Sequence, residues 1–383
     1  MEIDRGFLIQ ACQDLVRINS VNPVLVPGAP GERTIADHTA RVFGQLGLQV
    51  ERHEPDPGRV SVTGRLSGTG GGRSLMLNAH YDTVGVEGMA DPFSAAVADG
   101  RLYGRGAYDM KGSLAAMMAA VEALRRAGVR LRGDLLLAAV ADEEYGSLGT
   151  ADLVTRIRTD GAIVTEPTSC AVCLAHKGYE WIEIRTEGRA AHGSRYGEGI
   201  DANIRMGRVL SGLDRLEQEL RHRTPHPLVG PPSLHAAILS GGTGLSTYAA
   251  SCTLQVERRT VPGETSGQAL AEIQAILDRL ASEDPSFRGS ARTFFSRDPF
   301  EVDRDAPVVQ ALAGALRLVT PGPPAFVGDT PWMDSALLAG AGIETVVFGP
   351  GGGGAHADVE WVEIDSMVRC AAVLAETAVA YCG

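Results

Sequence analysis

Residues 74–84 read SLMLNAHYDTV, an apolar run that leads into two polar side chains, His80 and Asp82. A short apolar run of this kind is typical of a strand buried on both faces, in a sheet that lies under helices. His80 and Asp82 are two residues apart and therefore point to the same side of an extended chain. His80 can bind a metal ion while Asp82 accepts its second ring N–H. A strand-end histidine that bonds only to the backbone is the alternative.

Three further apolar runs lead into residues that can bind a metal ion, namely the pair Glu143 and Glu144, then Glu166, then His356. The carboxyl ends of strands in an α/β domain present such residues to one crevice. Asp109 differs, because it follows a glycine-containing turn in the stretch LYGRGAYDMKG. Taken singly, Asp109 would be an ordinary turn aspartate and the adjacent glutamates part of a solvated loop. Two histidines and several carboxylates together suit zinc, cobalt or manganese better than calcium.

The composition bounds the class of protein. A chain of 383 residues is too long for one ordinary core, so two domains are expected. Hydrophobic residues make up 44% and charged residues 21%, which is typical of a globular protein. The formal net charge of −12 argues against nucleic acid or an anionic membrane surface as a partner.

Targeting signals and disulfides are not indicated. The first residues, MEIDRGFLIQACQDLVRI, lack the basic start, apolar block and cleavage site of a signal peptide. No apolar run approaches the roughly 20 residues that cross a bilayer. The six cysteines do not resemble a disulfide framework in a chain of this length. Cys170 and Cys173 form an isolated CxxC pair, interpreted as buried or spare thiols, with a redox or metal role as the alternative. A cytoplasmic location is expected.

Helix and strand periods alternate along the chain, and their order changes in the middle. Residues 32–46 and 112–127 have apolar positions at helical spacing. Between about 176 and 292 the stretches WIEIRTEG and TLQVERRT alternate like half-buried strands, and each is followed by a helical pattern. The sequence therefore predicts an α/β catalytic domain, formed by 1–175 and 293–383, that is interrupted by a smaller α+β domain over 176–292.

Seven stretches of the chain occur in a characteristic order: HYDTV, GRGAYDMKG, ADEEYGSLGT, VTEPT, RAAHGS, ERRTVPGE and the terminal FGPG with its following AH. Together they resemble the metallopeptidase family that contains acetylornithine deacetylase, succinyl-diaminopimelate desuccinylase, aminoacylase and glutamate carboxypeptidase. The resemblance covers nearly the whole chain. It implies a zinc-peptidase-like catalytic domain with a mixed sheet between helices. It also implies that the inserted domain is a ferredoxin-like lid or dimerisation domain and that the protein is a homodimer.

The resemblance further implies a centre with two divalent metal ions. Its ligand positions are matched by His80, Asp109, Glu144, Glu166 and His356. His80 and Glu166 would hold one ion, Glu144 and His356 the other, and Asp109 would bridge both. Zinc is the expected metal, with cobalt or manganese as alternatives that fit similar ligands.

Two residues beside these ligands would act in catalysis. Asp82 would orient His80. Glu143 would be the general base, which takes a proton from water and later passes it to the leaving amine. The division between adjacent glutamates is chemically reasonable, because Glu144 gives its electrons to a metal ion while Glu143 can accept a proton.

The inserted domain would add two residues. The resemblance implies that His192, commonly from the partner subunit, stabilises the oxyanion of the tetrahedral intermediate. It implies that Arg259 binds the substrate carboxylate, for which a guanidinium is well suited. The alternatives are a surface histidine and an exposed strand arginine, since Arg258 lies beside Arg259 on the other face.

Some positions depart from the family pattern. Ser246 and Ala249 stand where asparagine and proline are often found, Glu257 replaces the usual aspartate, and Val359 replaces a frequent asparagine. The ligand and base positions are intact, so these departures bear on which substrate is bound and not on whether an amide is hydrolysed.

The sequence thus predicts a two-metal hydrolase that cleaves the amide bond of small N-acyl amino acids, as acetylornithine deacetylase and succinyl-diaminopimelate desuccinylase do. A carboxypeptidase or dipeptidase with the same metal centre is the first alternative. A dimeric binding protein that has lost catalysis is an alternative of another class. Loss of Glu143 or of a metal ligand would indicate the binding protein, and no such position is lost.

Overall fold

A computed structural model describes residues 1–383, apart from the side chain of Ser266, and divides the chain into two compact units. The first unit is made of Met1–Leu174, Val302–Val327 and Met333–Gly383. The second is made of Ala175–Glu301 and Gly328–Trp332.

The second unit is longer than the insertion predicted over 176–292. A strand over Gly289–Arg297 pairs with the strand over Gly178–Glu187 in the same unit, so the chain leaves this unit only at Glu301. The assignment of a catalytic role to the first unit and a lid role to the second stays a prediction.

The α-helices of the structure are α1 (Arg5–Arg17), α2 (Arg33–Gln45), α3 (Gly112–Arg126), α4 (Leu148–Arg156), α5 (Ala202–His222), α6 (Ser266–Glu283), α7 (Pro307–Val319), α8 (Ser335–Gly340) and α9 (Ile364–Cys382). Helices α2, α3, α5 and α6 lie at the segments predicted above to be helical.

The strands are short, and most belong to the first unit. They are β1 (Gln49–Asp56), β2 (Arg59–Leu66), β3 (Leu75–His80), β4 (Val97–Ala98), β5 (Arg101–Tyr103), β6 (Leu135–Val140), β7 (Gly161–Val164), β8 (Val172–His176), β9 (Gly178–Glu187), β10 (Ser233–Gly241), β11 (Ser251–Thr260), β12 (Gly289–Arg297), β13 (Phe300–Glu301), β14 (Phe326–Asp329), β15 (Glu344–Val347), β16 (Gly352–Gly353) and β17 (Trp361–Glu363).

The large sheet of the first unit has the strand order β1-β2-β6-β3-β7-β15-β8. Strands β6, β3, β7 and β15 are parallel to one another, whereas β1, β2 and β8 add antiparallel pairs. The sheet is therefore mixed. The four parallel strands end at one edge, with His80, Val140, Val164 and Val347 as their last residues. The chain segments that follow these residues consequently begin side by side.

The centre of this sheet is apolar because helices cover it. Strands β3, β6 and β7 are buried at every residue. Helices α3 and α9 pack against each other and against β3, while α2 packs on β1 and β2, and α8 packs on β7 and β15. The predicted α/β fold, with a mixed sheet between helices, is confirmed.

The second unit contains an antiparallel sheet of strand order β10-β11-β9-β12 with α5 and α6 against one face. The sequence predicted β9, α5, β11 and α6 but missed β10 and β12. Both are edge strands: β10 is exposed from His235 to Gly241, and β12 has no fully buried residue, so neither shows the alternation of buried and exposed residues that identifies a strand in a sequence. The α+β character of this unit agrees with the prediction.

A small sheet in the first unit, β16-β17-β5-β4, connects two loops that are far apart in sequence. Strand β17 pairs with β5 through Trp361 opposite Tyr103 and Val362 opposite Leu102. Asp109 lies in a short π-helical segment, Ala107–Lys111, that follows β5, and His356 lies between β16 and β17. The pairing therefore brings these two loops together.

In the part of the chain that the structure describes, no helix has the length and apolar content needed to cross a membrane. None of the six cysteines is in a disulfide among the described residues. Cys173 is buried and Cys170 is half-buried.

Candidate metal centre

The edge where the parallel strands end gathers the predicted ligands of the first unit. His80 ends β3, Glu144 lies in the turn after β6, and Glu166 follows β7. Asp109 and His356 come from the two loops that the small sheet joins. Five residues, of which His80 and His356 are 276 positions apart in sequence, are thus placed at one site.

Asp109 connects two groups of potential ligands. Its Oδ1 lies 3.1 Å from Nε2 of His80, and its Oδ2 lies 3.5 Å from Nε2 of His356. Glu166 completes the first group, with Oε1 3.5 Å from Nε2 of His80. Glu144 completes the second group, with Oε2 3.0 Å from Nε2 of His356. Asp109 therefore presents one carboxylate oxygen to each group.

Each group suits one divalent ion. In each, one ligand atom per residue lies within 4.8 Å of the others. Donors that share an ion at about 2.0–2.2 Å are separated by roughly 3–4 Å, which includes the distances given above. Each group offers one imidazole and two carboxylates, with Asp109 shared, and this donor set suits zinc, cobalt or manganese.

The electrostatics of the site also favour a cation. Burial, and then the charge of Asp109, raise the pKa of Glu166 well above its usual range and the pKa of Glu144 to about 7. Hydrogen bonds to Asp109 and Glu144 raise the pKa of His356 to about 10. Burial lowers the pKa of His80, but the neighbouring carboxylates outweigh burial and hold it well above its usual range. A divalent ion would stabilise ionised carboxylates and neutral imidazoles in this setting.

Glu143 lies beside the two ligand groups and belongs to neither of them among the described residues. Its Oε2 is 3.9 Å from Nε2 of His80. Burial raises the pKa of its carboxyl group well above the usual range, although His80 opposes that rise. Glu143 is thus a carboxyl group next to the candidate ligands that is itself available to carry a proton.

Asp82 contacts the site differently from the prediction. Nδ1 of His80 lies 3.1 Å from the main-chain oxygen of Asp82 and 3.7 Å from its carboxylate, so the carbonyl oxygen is the closer acceptor. The carboxylate instead accepts the backbone N–H groups of Glu143, at 3.1 Å, and Glu144, at 3.3 Å. Asp82 therefore fixes the backbone of the turn that carries both glutamates.

A buried polar network that the sequence did not indicate supports Asp82. Asn22 donates to Asp82 at 2.8 Å and to Asp142 at 3.0 Å. Arg59 donates to Asp142 at 2.6 Å and to Glu32 at 2.6 and 3.0 Å. All of these side chains are buried, so Arg59 compensates charges that would otherwise be costly. The sequence did contain one sign of this network: Asp142 directly precedes Glu143 and Glu144, and three adjacent acids at the end of a buried strand require a cation nearby, which Arg59 supplies.

A second missed network holds Asp109. The Glu360 carboxylate accepts the backbone N–H groups of Gly106, Tyr108 and Asp109 at 2.9–3.0 Å. Arg105 donates to Glu360 at 2.7 Å, and its other terminal nitrogen donates to the carbonyl oxygen of Ala357 at 3.1 Å, next to His356. One buried ion pair thus contacts both loops that supply ligands.

His192 lies in the second unit, where it is exposed. Its Nδ1 accepts from the backbone N–H of Ser194 at 3.3 Å and lies 2.8 Å from the Ser194 hydroxyl. Because Nδ1 is the acceptor of that amide, the proton of a neutral ring is placed on Nε2. The side chain can therefore donate a hydrogen bond to an anionic oxygen.

Arg259 also lies in the second unit, on β11, and is half-buried. Its Nε donates to Glu257 at 2.7 Å, and its guanidinium carbon lies 5.2 Å from the centre of the Tyr179 ring. The neighbouring Arg258 has the opposite orientation and is buried in ion pairs with Glu264 and Glu272. Arg259, and not Arg258, therefore lies on the side from which a ligand can be reached.

The chain is similar in sequence to a family of peptidases and to amide hydrolases of known activity. The model of peptidase family M20/M25/M40 matches residues 76–380. The chain is 30% identical over 409 residues to N-formyl-4-amino-5-aminomethyl-2-methylpyrimidine deformylase of Bacillus subtilis, covering 98% of this chain and 94% of that protein. It is 32% identical over 361 residues to acetylornithine deacetylase of Myxococcus xanthus, covering 91% of this chain and 92% of that one.

Among solved structures, aminopeptidase PepT from Bacillus cereus is similar with a TM-score of 0.81. The two proteins are 17% identical, and the match covers 100% of each chain. At this identity the likeness concerns the fold alone.

Proposed function

Since the chain belongs to peptidase family M20/M25/M40, we propose that it hydrolyses the amide bond of small N-acylated amino acids. Membership makes the chain a metal-dependent hydrolase. The observation that carries the proposal is Asp109, which presents one oxygen to each of two imidazole and carboxylate groups. Two divalent ions bound there would polarise the scissile carbonyl and acidify water at the site.

Each ligand has a proposed place in this centre. His80 and Glu166 would hold one ion, Glu144 and His356 would hold the other, and Asp109 would contribute one carboxylate oxygen to each. Zinc is the proposed metal, and cobalt or manganese fit the same donors. The proposal is supported by distances of 3.0–3.5 Å between each imidazole nitrogen and the carboxylate oxygens of its group.

Glu143 is proposed to move the proton. Its carboxylate takes a proton from the attacking water and delivers it to the nitrogen of the leaving amine when the C–N bond breaks. The contacts that support this role hold its backbone in place through Asp82, while its side chain lies outside both ligand groups. Asp82 acts as a positioning residue for the turn.

Two residues of the second unit complete the proposed machinery. His192 donates from Nε2 to the oxyanion of the tetrahedral intermediate, and Arg259 binds the carboxylate of the amino acid. The tautomer set by Ser194 supports the first role, and the half-buried guanidinium on β11 supports the second.

A homodimer is also proposed. The edge strand β10 carries Ile238 and Leu239 at 61% and 56% exposure, and Ile204 on the adjoining α5 is 66% exposed. An edge strand with exposed apolar side chains is suited to pairing with another copy of the chain. A chain that stays monomeric and fully active at nanomolar concentration would contradict a role for His192 across such a dimer.

Deformylation is a second candidate reaction. It is favoured by the deformylase of Bacillus subtilis, whose match covers 98% of this chain. A formyl group and an acetyl group are both small acyl groups on an amine, so the same centre would serve either. A carboxypeptidase or dipeptidase activity stays an alternative, and so does a binding protein without catalysis.

The test is hydrolysis of a panel of N-acetyl, N-succinyl and N-formyl amino acids, an N-formyl aminopyrimidine and dipeptides. Chelator-treated protein is measured before and after addition of zinc or cobalt. Release of a free amine from acylated amino acids only when metal is present is the expected result. Cleavage of dipeptides alone would favour the peptidase. Inactivity on the whole panel with two ions bound would contradict the proposal.

A further inference from the structure

The second unit carries a group of aromatic rings on the face of its sheet that α5 and α6 leave uncovered. The group, named the aromatic face, consists of Tyr179, Trp181, Phe295 and Trp332. On β9 the alternate residues Ile182 and Ile184 are buried in the core with the two helices, whereas Tyr179 and Trp181 are half-buried on the other side.

The rings of the aromatic face form one continuous surface. The ring centres of Trp181 and Phe295 are 5.1 Å apart, those of Tyr179 and Phe295 are 5.9 Å apart, and those of Tyr179 and Trp332 are 6.2 Å apart. The guanidinium of Arg297 lies over Phe295 at 4.4 Å. Such spacings are those of favourable aromatic contacts.

Arg259 borders this surface directly. It stands opposite Tyr179 in the sheet register, with its guanidinium carbon 5.2 Å from the ring centre. Glu257 accepts from Nε of Arg259 at 2.7 Å and from Nε1 of Trp181 at 2.9 Å. Glu257 therefore holds the arginine and the indole in a fixed relation. A carboxylate can be bound by the two terminal nitrogens of the guanidinium while Nε keeps its bond to Glu257.

The aromatic face is not explained by packing of the core. The core side of the same sheet is aliphatic, with Ile182, Ile184, Leu254 and Val256 buried. Aromatic residues make up only 5% of the chain, yet two of its three tryptophans lie on this face. Half-buried rings beside a guanidinium suit a ligand that is planar and apolar at one end and anionic at the other.

We propose that the aromatic face binds the side chain of an aromatic amino acid, so that the substrate is an N-acylated aromatic amino acid. The inference rests on the proposed function, in which Arg259 binds the substrate carboxylate. The carboxylate and the side chain of an amino acid are attached to the same carbon. A substrate held by Arg259 therefore has its ring within reach of Tyr179 and its neighbours, and the acyl group is not constrained by this face.

The first test compares N-acetylphenylalanine with N-acetylleucine, which is apolar but has no ring. The expected kcat/KM is about tenfold higher for N-acetylphenylalanine, mainly through a lower KM. Phe295→Leu should reduce this preference roughly 3- to 10-fold. The matched control is Phe326→Leu, because Phe326 is also half-buried under an arginine, with Arg304 at 4.0 Å, but lies in the first unit. This control should keep the original preference.

A second readout does not depend on turnover. In Trp361→Phe both tryptophans that stay in the chain, Trp181 and Trp332, belong to the aromatic face. Titration of this chelator-treated variant with N-acetylphenylalanine should give a saturable change in indole fluorescence, with a weaker response to N-acetylleucine.

The outcomes separate this inference from the function on which it rests. Equal kcat/KM for the two substrates, unchanged by Phe295→Leu, would overturn the aromatic substrate class while the deacylase proposal stands. Inactivity toward every acylated amino acid with two ions bound would instead overturn the proposed function. In that case a fluorescence change that is saturable and specific for the aromatic ligand still supports the aromatic face as a binding surface. If the fluorescence does not change, the aromatic face is overturned as a binding surface.

Discussion

Replacement of Glu360 by glutamine tests whether the buried pair with Arg105 positions the bridging ligand. Glu360 and Arg105 have side-chain exposures of only 1% and 3%, so solvent does not weaken their interaction appreciably. One carboxylate oxygen accepts from Tyr108 and Asp109, and the other accepts from Arg105 and Gly106. The amide nitrogen of glutamine cannot accept, so two of these four donors lose their acceptor in either orientation.

The expected cost follows from those contacts. Removing one partner of a buried ion pair leaves the other charge uncompensated and destabilises a fold by about 3–5 kcal/mol. In addition, the backbone N–H of Asp109 is one of the four donors, and Arg105 contacts the carbonyl next to His356. Loss of a group that orients metal ligands typically weakens metal binding about 10- to 100-fold. Since Asp109 belongs to both ligand groups, Glu360→Gln should weaken the binding of both ions.

The assay is competition for zinc between the protein and a chelating dye, together with urea unfolding. Glu264→Gln is the matched control, because Glu264 pairs with the buried Arg258 and accepts the Val261 N–H in the second unit. This control should lose stability and keep its zinc affinity. If Glu360→Gln were destabilised as expected but bound both ions as tightly as the original chain, the positioning argument would be refuted.

Three further predictions concern individual carboxylates. Asp109→Asn should weaken zinc binding at both ligand groups, whereas Glu166→Gln should weaken it at one. Calorimetric titration measures the zinc affinity of the two sites separately. Equal losses of affinity at both sites in Glu166→Gln would contradict the assignment. Asp82→Asn removes an acceptor of the Glu143 and Glu144 amides and should lower kcat about 10- to 100-fold with KM unchanged; a change in KM alone would count against it. The Ser286 hydroxyl, with Arg208, lowers the pKa of Asp284 from 3.8 to about 2. Such a lowered pKa stabilises the folded state at pH values above 3.8, and this stabilisation is lost as the pH falls toward 2. Asp284→Asn should therefore lower the urea midpoint at pH 6, with a difference that shrinks toward pH 2, and a difference that is independent of pH would be inconsistent with this linkage.

The sequence predicted the parts of the fold that have a regular period. Helices expected over 32–46 and 112–127 are found at Arg33–Gln45 and Gly112–Arg126. The apolar runs before Glu144 and Glu166 are strands of the predicted buried sheet. These elements are predictable because burial of one face or of both faces leaves a pattern in neighbouring residues.

The polar networks around the ligands left no such pattern. Arg105 and Glu360 are 255 residues apart, and Asn22 and Asp82 are 60 residues apart. A hydrogen bond between distant residues has no local period, so only the tertiary structure reveals it. The partner of the second His80 ring nitrogen shows the same limit: the sequence predicts the Asp82 carboxylate, whereas the main-chain oxygen of Asp82 lies closer, at 3.1 Å against 3.7 Å, and sequence spacing does not specify such a contact.

The proposed two-metal hydrolysis is tested most directly by measuring bound metal and amine release on the same samples. Chelator-treated protein and its Glu143→Gln variant are loaded with zinc, the ions per chain are counted by mass spectrometry, and hydrolysis of an N-acetyl amino acid is followed. Two ions per chain are expected in both proteins, with amine release by the original chain alone. Full activity of Glu143→Gln, or of protein that holds no metal, would contradict a metal-dependent hydrolysis in which Glu143 carries the proton.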